Sequence, residues 1–254
     1  MSVKSAERVL DIIDYLTLYS EGLSLMELSN NLSIPKSSMS QLLSTMLNKN
    51  YLVKTEGNIY KLGHKLIIAG NKARTSNDIY SASISILKDK VLITGETLFL
   101  AIRSSTEIIY LAKVDSQNSH RTTAQPGMRK PLHSTGLGKT FLTYEEELLS
   151  EELLKTIDYK KFTHKTITDK ETMSQEIEKF RKQGYITDDE EGEEGVFCIA
   201  APIFNESENI IASISCAGNR ERMLSKKEVI VSEMVDAAKE ISRTQGGTYK
   251  FKMA

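Results

Sequence analysis

Short polar and basic side chains, with no carboxylate among them, recur between positions 36 and 49. Hydroxyl, amide and ammonium groups bond to base edges and phosphate oxygens, and the absence of Asp and Glu removes the repulsion that a polyanion would meet. The apolar residues of this segment recur at helical spacing, so the polar ones share the opposite face. An ordinary solvated helix face is the alternative, although such faces usually mix Glu with Lys. We predict DNA contacts from Lys36, Ser37, Ser38, Ser40, Gln41, Ser44, Thr45 and Lys49.

A second chemically suggestive stretch runs from His133 to Thr140, where the spacing nearly matches a phosphate-binding G-x-x-x-x-G-K-[ST] loop. His133 stands where the first glycine belongs, and two prolines make the preceding segment, residues 125–131, a poor central strand. The small residues instead predict a turn that opens a helix, whose free N–H groups point at a small anion such as a carboxylate. A nucleotide hydrolase that uses Lys139 and Thr140 stays open as an alternative.

The acidic run over residues 188–194 allows three interpretations. Most of the run is typical of a solvated loop, and a divalent-metal site would need an EF-hand spacing that the run lacks. In the third interpretation Asp188 or Asp189 lies at the rim of a pocket, where its carboxylate contacts a ligand or a pocket residue. The residues alone do not decide among the three.

The two cysteines, Cys198 and Cys216, lie in apolar segments, which favours buried free thiols over a disulfide. They form no C-x-x-C pair and the histidines are scattered, so we expect no zinc site. No G-x-S-x-G elbow is present, although a catalytic triad needs no local spacing. We therefore expect no catalytic residue, no metal ion and no cofactor.

Two short amphipathic helices must position the polar face, and the sequence predicts them over residues 24–32 and 36–49. Ser24 and Glu27 have the spacing of a capping box, which marks the start of the first of these helices. Pro35 suits the first position of the second helix. Two helices joined by so short a turn are typical of a helix-turn-helix.

A hairpin over residues 51–62 follows directly, with its turn at residues 56–58. Lys54 and Lys61 flank this turn and suit phosphate contacts; an ordinary surface hairpin is the alternative. Helix, helix and hairpin in this order predict a winged helix-turn-helix domain. The local charge of +6 over residues 30–75 agrees with a polyanionic partner, whereas residues 186–195 carry −6 and the whole chain −1.

The chain is long enough, at 254 residues, for one large domain or two modest ones. We predict a DNA-binding domain over 1–62, a linker helix over 63–76, a second domain over 77–246 and a flexible tail over 247–254. The linker's apolar residues favour self-association, and packing against their own domain is the alternative. The longest apolar runs are too short to span a bilayer and no signal peptide is evident, so we expect a cytoplasmic protein with no membrane contact.

Hairpins and helices alternate in the second half, which predicts the α+β class with a mainly antiparallel sheet. The first helix of the chain is expected to end at Glu21-Gly22. In the second domain the predicted strands are 97–103, 108–114, 121–124, 185–187, 196–203 and 210–216, and the predicted helices 78–94, 137–142, 144–154, 170–183 and 226–242.

The chain resembles the IclR-type bacterial transcriptional regulators over nearly its full length. Five segments in matching order carry the resemblance, and the last two are long and specific. They are LSIPKSS at 32–38, YKLG at 60–63, TGET at 94–97, PLHSTGLGK at 131–139, and GYITDDEE at 184–191 running on to GVFCIAAPI at 195–203.

This resemblance implies a winged helix, a linker helix and a GAF-like effector domain that binds small organic acids, with dimers through the DNA-binding region and often tetramers. Two positions depart from the family pattern. Gln41 replaces a usual Arg, which leaves the operator sequence open, and Ala217 replaces a small polar residue, which leaves the ligand open. The effector-binding residues that the resemblance implies are Met128, His133, Ser134, Gly136, Leu137, Asp188, Asp189, Cys198, Ser215 and Ala217.

Together these features predict a transcriptional regulator, a repressor in preference to an activator. Two copies, as a homodimer or within a tetramer, would read a palindromic operator in double-stranded DNA. A small-molecule effector, a carboxylate, would modulate operator affinity from the C-terminal domain. A third hypothesis, beside the regulator and the hydrolase, is a DNA-bound scaffold whose effector domain only assembles subunits.

Overall fold

The computed structural model describes residues 3–75, 78–116 and 123–249. Its contacts divide the chain into two compact units, Met1–Ser76 and Asn77–Ala254. Each unit is described on its own below. No helix in the described ranges is both long and apolar enough to cross a lipid bilayer.

The N-terminal unit is a winged helix-turn-helix, as predicted. A three-stranded antiparallel sheet in the order β1-β3-β2 packs beside its helices. The core joins Ile12 of the first helix to Leu28, Leu43 and Leu52 of the next elements. The elements are α1 (Lys4–Leu16), β1 (Leu23–Ser24), α2 (Leu25–Asn31), α3 (Lys36–Asn48), β2 (Leu52–Lys54), β3 (Ile59–Leu62) and α4 (His64–Thr75).

The predicted capping box is confirmed at the start of α2. Ser24 Oγ accepts a hydrogen bond from the Glu27 N–H at 3.3 Å, and Glu27 Oε2 accepts one from the Ser24 N–H at 2.8 Å. The turn into α3 is held by Ser29, whose hydroxyl donates to the Ile34 carbonyl at 2.6 Å. Pro35 caps α3 one residue before the helix begins, rather than being its first residue.

The first helix ends earlier than predicted, at Leu16, and a two-residue strand, β1, was not foreseen. Strand β1 directly follows Gly22, which has φ +78°, and pairs with β3 of the wing. A Cβ at this position would lie 2.5 Å from the Tyr60 carbonyl oxygen, so only glycine lets the chain approach β3. This contact joins residues 38 positions apart, which local periodicity does not reveal.

The C-terminal unit holds a six-stranded sheet in the order β6-β5-β4-β9-β8-β7, and every pairing in it is antiparallel. The α+β class with an antiparallel sheet is therefore confirmed. The strands are β4 (Thr97–Ser104), β5 (Glu107–Val114), β6 (Arg129–Pro131), β7 (Ile186–Asp189), β8 (Val196–Phe204) and β9 (Ile210–Asn219). The helices are α5 (Asp78–Thr94), α6 (Gly136–Tyr144), α7 (Glu147–Thr156), α8 (Lys170–Gln183), α9 (Arg220–Ser225) and α10 (Lys227–Thr244).

Helices cover both faces of this sheet. Alternation along β4 sends Leu98 and Leu100 to one face, where they join α5 and α10 in one core. Phe99 and Ala101 point to the other face, towards a second core that includes Phe141 of α6. The second face also holds the cavity described below.

Two predicted elements of this unit need correction, and one helix was missed. Residues 121–122 of the predicted strand 121–124 lie outside the described part, and Thr123 and Ala124 are not in a strand. The strand of this region is instead β6, a short edge strand, where Pro131 does not interrupt a central ladder. The predicted helix 144–154 is α7, which begins only at Glu147, because Tyr144 still belongs to α6 and the backbone is extended at Glu145. Helix α9 was not predicted.

The first three residues of the predicted flexible tail, 247–249, make contacts with the C-terminal unit. The Gly247 N–H donates to the Ser242 carbonyl at 2.8 Å. The Tyr249 hydroxyl donates to the Gly184 carbonyl at 2.9 Å, and its ring packs edge-on against Phe204. The aromatic side chain anchors this segment, and residues 250–254 lie outside the described part.

Candidate DNA-binding surface and effector cavity

The polar face of α3 is on the surface of the N-terminal unit. Met39, Leu43 and Met46 point into the core, and this orientation turns the polar residues outward. Ser38 is half-buried, and Thr45 donates a hydrogen bond to the Gln41 carbonyl at 3.0 Å within the helix. The exposed residues of the predicted set on this helix are Lys36, Ser37, Ser40, Gln41, Ser44 and Thr45, and Lys49 is exposed just beyond its end.

The two wing lysines differ in their surroundings. Lys54 is exposed, with its ammonium 5.5 Å from the centre of the Tyr60 ring. Lys61 is half-buried, and its Nζ lies 3.4 Å from Glu21 Oε2. The sequence analysis had not connected Glu21 with the wing. A phosphate at Lys61 would have to compete with this carboxylate, so Lys54 is the less hindered of the two predicted phosphate contacts.

The C-terminal unit contains a cavity between the sheet and the start of α6. The volume open to the centres of water molecules in this cavity is about 60 Å³, which is room for roughly four to six waters. Among the described residues it is lined by Phe99, Tyr110, Thr123, Ala124, Lys130, Ser134, Thr135, Gly136, Leu137, Asp188, Gly192, Glu193, Val196, Cys198, Ser215 and Ala217.

Seven of the ten predicted effector residues line this cavity, namely Ser134, Gly136, Leu137, Asp188, Cys198, Ser215 and Ala217. Met128, His133 and Asp189 do not. Met128 is exposed, and its carbonyl accepts the Tyr110 N–H at 3.1 Å. Asp189 pairs with Arg220, since strand alternation turns it to the side opposite Asp188.

His133 is completely buried beside the cavity wall. Its Nε2 lies 2.9 Å from the Lys160 carbonyl, so this nitrogen carries the proton and donates it. Its ring packs against Tyr159 and Phe162, and burial lowers the pKa of the imidazole. His133 thus anchors the segment around Lys160 instead of contacting a ligand in the cavity.

Nine lining residues were missed by the sequence analysis: Phe99, Tyr110, Thr123, Ala124, Lys130, Thr135, Gly192, Glu193 and Val196. Alternation along β4 and β5 was a usable signal for Phe99 and Tyr110, whose rings pack edge-on at 5.5 Å. Gly192 had no such signal. A Cβ there would lie 2.5 Å from the Ser134 carbonyl oxygen, so glycine allows the acidic loop to touch the α6 turn.

The predicted anion-binding turn at α6 already faces a carboxylate of this chain. Thr135 caps the helix by accepting the Gly138 N–H at 2.9 Å. Asp188 accepts the Glu191 N–H at 2.9 Å, and the neighbouring Gly136 N–H and Cys198 thiol favour its ionised form and so act to lower its pKa. Burial nevertheless raises the pKa of Asp188. The buried carboxylate of Asp188 therefore takes part of the hydrogen-bonding capacity that a ligand anion would need.

Lys139, the lysine of the phosphate-loop-like motif, is fully buried and forms an ion pair with Glu191. Its ammonium also lies 5.2 Å from the centre of the Phe180 ring. Burial raises the pKa of Glu191 to about 7, against the opposing effect of Lys139. Because Lys139 is at 0% exposure and does not line the cavity, it is not available to a nucleotide phosphate.

Comparison with known proteins agrees with this architecture. Residues 71–243 match the bacterial transcriptional regulator IclR C-terminal family, and residues 5–56 match the IclR helix-turn-helix domain. The transcriptional regulator KdgR of Escherichia coli (strain K12) is 31% identical over 247 residues, which cover 96% of this chain and 94% of that protein. The transcriptional repressor AllR of the same strain is 29% identical over 247 residues, which cover 96% and 90%.

A crystal structure of an IclR homologue from Microbacterium hydrocarbonoxydans, complexed with 4-hydroxybenzoate, superposes with a TM-score of 0.82 at 18% identity, over 94% of this chain and 98% of that one. At this identity the likeness concerns the fold. The two family matches and the relative at 31% identity carry the assignment. The chain belongs to the IclR family of helix-turn-helix transcriptional regulators, which are not enzymes.

Proposed function

We propose that this regulator acts as a repressor whose operator affinity changes when a small organic acid occupies the cavity of the C-terminal unit. The observation that carries the DNA-binding part is the outward face of α3, which is polar, free of carboxylates and followed by the wing with Lys54. Such a face enters the major groove while lysines contact phosphates. Binding to a chromosomal operator would require the protein to act in the cytoplasm. AllR, a relative named as a repressor, supports repression.

The operator should be palindromic, because we propose that two copies bind it. In the described N-terminal unit, Ile67 and Ile68 of α4 are 66% and 59% exposed, although both are large and apolar. Adjacent exposed isoleucines on the predicted linker helix favour self-association over packing against their own unit. A two-fold dimer presents two α3 helices to two half-sites about one helical turn apart.

The cavity supports an effector of only a few heavy atoms. Its lining combines apolar side chains such as Phe99 and Leu137 with a lysine, Lys130, and several hydroxyl groups. This mixture is typical of a small-molecule site. The homologue that holds 4-hydroxybenzoate supports an acid as the ligand class. The acid changes DNA affinity only to the extent that it binds the DNA-competent and incompetent states differently.

The test begins with mapping of the genomic sites that the protein occupies in its own bacterium. The recovered duplex then serves in fluorescence anisotropy, with wild type, Gln41→Ala and a control, Lys179→Gln, in the C-terminal unit. Loss of a base-edge contact at Gln41 should weaken specific binding by about 1–3 kcal/mol and relax specificity at one base pair, while the control is unchanged. Absence of affinity for any duplex at low ionic strength would refute the DNA-binding assignment.

The effector part has a separate test. A panel of small organic acids is screened for a rise in melting temperature, since a ligand that binds the folded state stabilises it. Each acid that does so is added to the anisotropy assay. A changed operator affinity supports the proposal, whereas an acid that binds without altering DNA affinity contradicts it.

A further inference from the structure

Helix α3, which presents the predicted DNA-contact face, ends in a turn held by backbone hydrogen bonds. Asn50 has φ +62°, the left-handed conformation in which many helices end. Its N–H donates to the Leu47 carbonyl at 2.9 Å, and the Tyr51 N–H donates to the Met46 carbonyl at 2.9 Å. This pair of bonds forms a Schellman motif, so the last turn of α3 itself sets the direction in which the chain leaves the helix.

The same turn holds the start of the linker helix α4. The Gly63 N–H donates to the Tyr51 carbonyl at 2.8 Å, and the Lys65 N–H donates to the Asn50 carbonyl at 3.3 Å. These two N–H groups flank His64, the first residue of α4. N–H groups in the first turn of a helix have no partner within it, so the Asn50 carbonyl satisfies one of them. We call these four residues, Asn50, Tyr51, Gly63 and Lys65, the α3–α4 junction.

Gly63 is buried and permits the close approach at this junction. A Cβ at Gly63 would lie 2.4 Å from the Asn50 carbonyl oxygen and 2.8 Å from the Tyr51 carbonyl carbon. Both are backbone atoms, which cannot rotate away as the end of a flexible side chain can. Next to them Leu52 pairs with Leu62 in the wing sheet and is 1% exposed. Any larger residue in place of Gly63 therefore has to push the start of α4 away from the end of α3.

The surface proposed for self-association lies close to the junction along α4. Ile67 and Ile68 follow Gly63 by four and five residues, which is about 6–8 Å along a helix axis. A second copy that packs on these isoleucines thus contacts α4 within about one and a half turns of the junction. Because the junction consists of backbone bonds, the packing of two α4 helices also constrains the two α3 helices.

We propose that Gly63 and the Lys65 N–H are positioning groups for operator recognition, because they hold α4 against the end of α3 and thereby fix the separation of two α3 helices. This inference rests on the proposed two-copy binding and adds what determines the half-site spacing. One added base pair moves a half-site by about 3.4 Å along the duplex and turns it by about 34°. A rigid junction does not accommodate both changes, whereas a loosened junction does.

The test measures tolerance to half-site spacing by fluorescence anisotropy. The duplexes are the recovered operator, versions with one base pair added or removed at its centre, and a single half-site. Wild type should lose at least about tenfold in affinity when the spacing changes, the scale of one lost base contact. Gly63→Ala should reduce this loss to less than about threefold and keep its half-site affinity within about twofold of wild type. Gly70→Ala, where a Cβ meets open space on the same helix, is the control and should discriminate like wild type.

A second pair of variants introduces no steric clash at Gly63. Lys65→Pro and Lys65→Gln both remove the ammonium group, but only proline removes the N–H that bonds to the Asn50 carbonyl. Proline is tolerated in the first turn of a helix. We expect Lys65→Pro to tolerate the altered spacings and Lys65→Gln to discriminate against them like wild type. This pair decides the question alone if Gly63→Ala does not fold.

Spacing discrimination of wild-type size in Lys65→Pro, or in folded Gly63→Ala, overturns the proposal. An equal loss of affinity for the half-site and for the operator in these variants also overturns it, because this result indicates general damage to the N-terminal unit. A wild type that binds one half-site as tightly as the whole operator contradicts the proposed two-copy binding as well. A wild type that discriminates between spacings, together with variants that do so equally, contradicts only the role of the junction.

Discussion

Replacement of Lys139 by methionine should destabilise the C-terminal unit in a strongly pH-dependent way. Lys139 is the cation that opposes both Glu191 and Asp188, which are buried with it. Removal of one partner from a buried ion pair typically lowers the free energy of unfolding by about 3–5 kcal/mol, since the remaining charge is uncompensated. We expect a loss of this size at pH 8. At pH 5 both carboxyl groups can take up protons, and the loss should fall below about 2 kcal/mol.

Glu191→Gln should be much milder at pH 8, because the folded protein already disfavours the ionised carboxylate. A pKa raised from 4.5 to about 7 corresponds to roughly 3 kcal/mol against the charged form. The stability that this raised pKa contributes is complete below about pH 4.5 and is lost as the pH rises through 7. A neutral amide imitates the protonated acid, so we expect Glu191→Gln to lower the free energy of unfolding by less than about 1.5 kcal/mol.

The assay follows unfolding of the C-terminal unit alone. Both cysteines of the chain, Cys198 and Cys216, lie in that unit and are free thiols. Their reaction with 4,4′-dithiodipyridine during a urea titration reports exposure of its core at both pH values. Lys179→Met is the control, because Lys179 is an exposed helix residue paired only with Glu176 and should change stability by less than about 0.5 kcal/mol.

Two results would refute this reasoning. The first is a loss for Lys139→Met that is equal at pH 5 and pH 8, which would mean that packing of its methylene groups, and not charge, stabilises the site. The second is a loss for Glu191→Gln as large as that for Lys139→Met at pH 8. In that case the carboxylate, and not the lysine, would dominate the cluster.

Three further predictions concern other parts of the molecule. Lys54→Gln should reduce the salt slope of DNA binding by about 0.9 per protomer, and Lys61→Gln by less because its ion pair must first break, as measured by anisotropy across a salt series. Gly192→Ala should lower the melting temperature and weaken acid binding, since its Cβ would lie 2.5 Å from a carbonyl oxygen, whereas Gly70→Ala, in open space on a helix, should be neutral or stabilising. Ser24→Ala should destabilise the N-terminal unit by about 1 kcal/mol in a urea titration followed by circular dichroism.

Local patterns were sufficient for most helices and strands. The capping box at Ser24 placed α2, and α8 has the predicted bounds, 170–183. The two strands that the sequence analysis missed, β1 and β6, share one physical cause. Strand β1 exists because it pairs with β3, and β6 exists because it pairs with the edge of β5. Such short strands are stabilised by partners that are distant in sequence, so local periodicity does not predict them.

The same cause limited the prediction of the cavity. Motif residues such as Gly136 and Asp188 were found because they lie in compact, recognisable segments. Lys130 lies in residues 125–131, whose two prolines predicted that the segment is not a central strand. That prediction was correct, but it did not reveal that part of the segment forms an edge strand, β6, whose Lys130 lines the cavity. The role of Lys139 depends on Glu191, 52 positions further along the chain. From the sequence alone, a lysine after two glycines suggests a phosphate-binding loop. The ion pair with the buried Glu191 shows the different role of Lys139.

The buried end of the cavity shows why a motif that favours anions need not bind a ligand anion. The turn at Gly136 has the small residues and free N–H groups expected of an anion site, yet Asp188 of the same chain supplies the negative charge there. A ligand carboxylate about 4 Å from Asp188 would be repelled by roughly 4 kcal/mol at an effective dielectric constant of 20. A carboxylate of the chain itself therefore lies where the motif, taken alone, predicts a ligand anion.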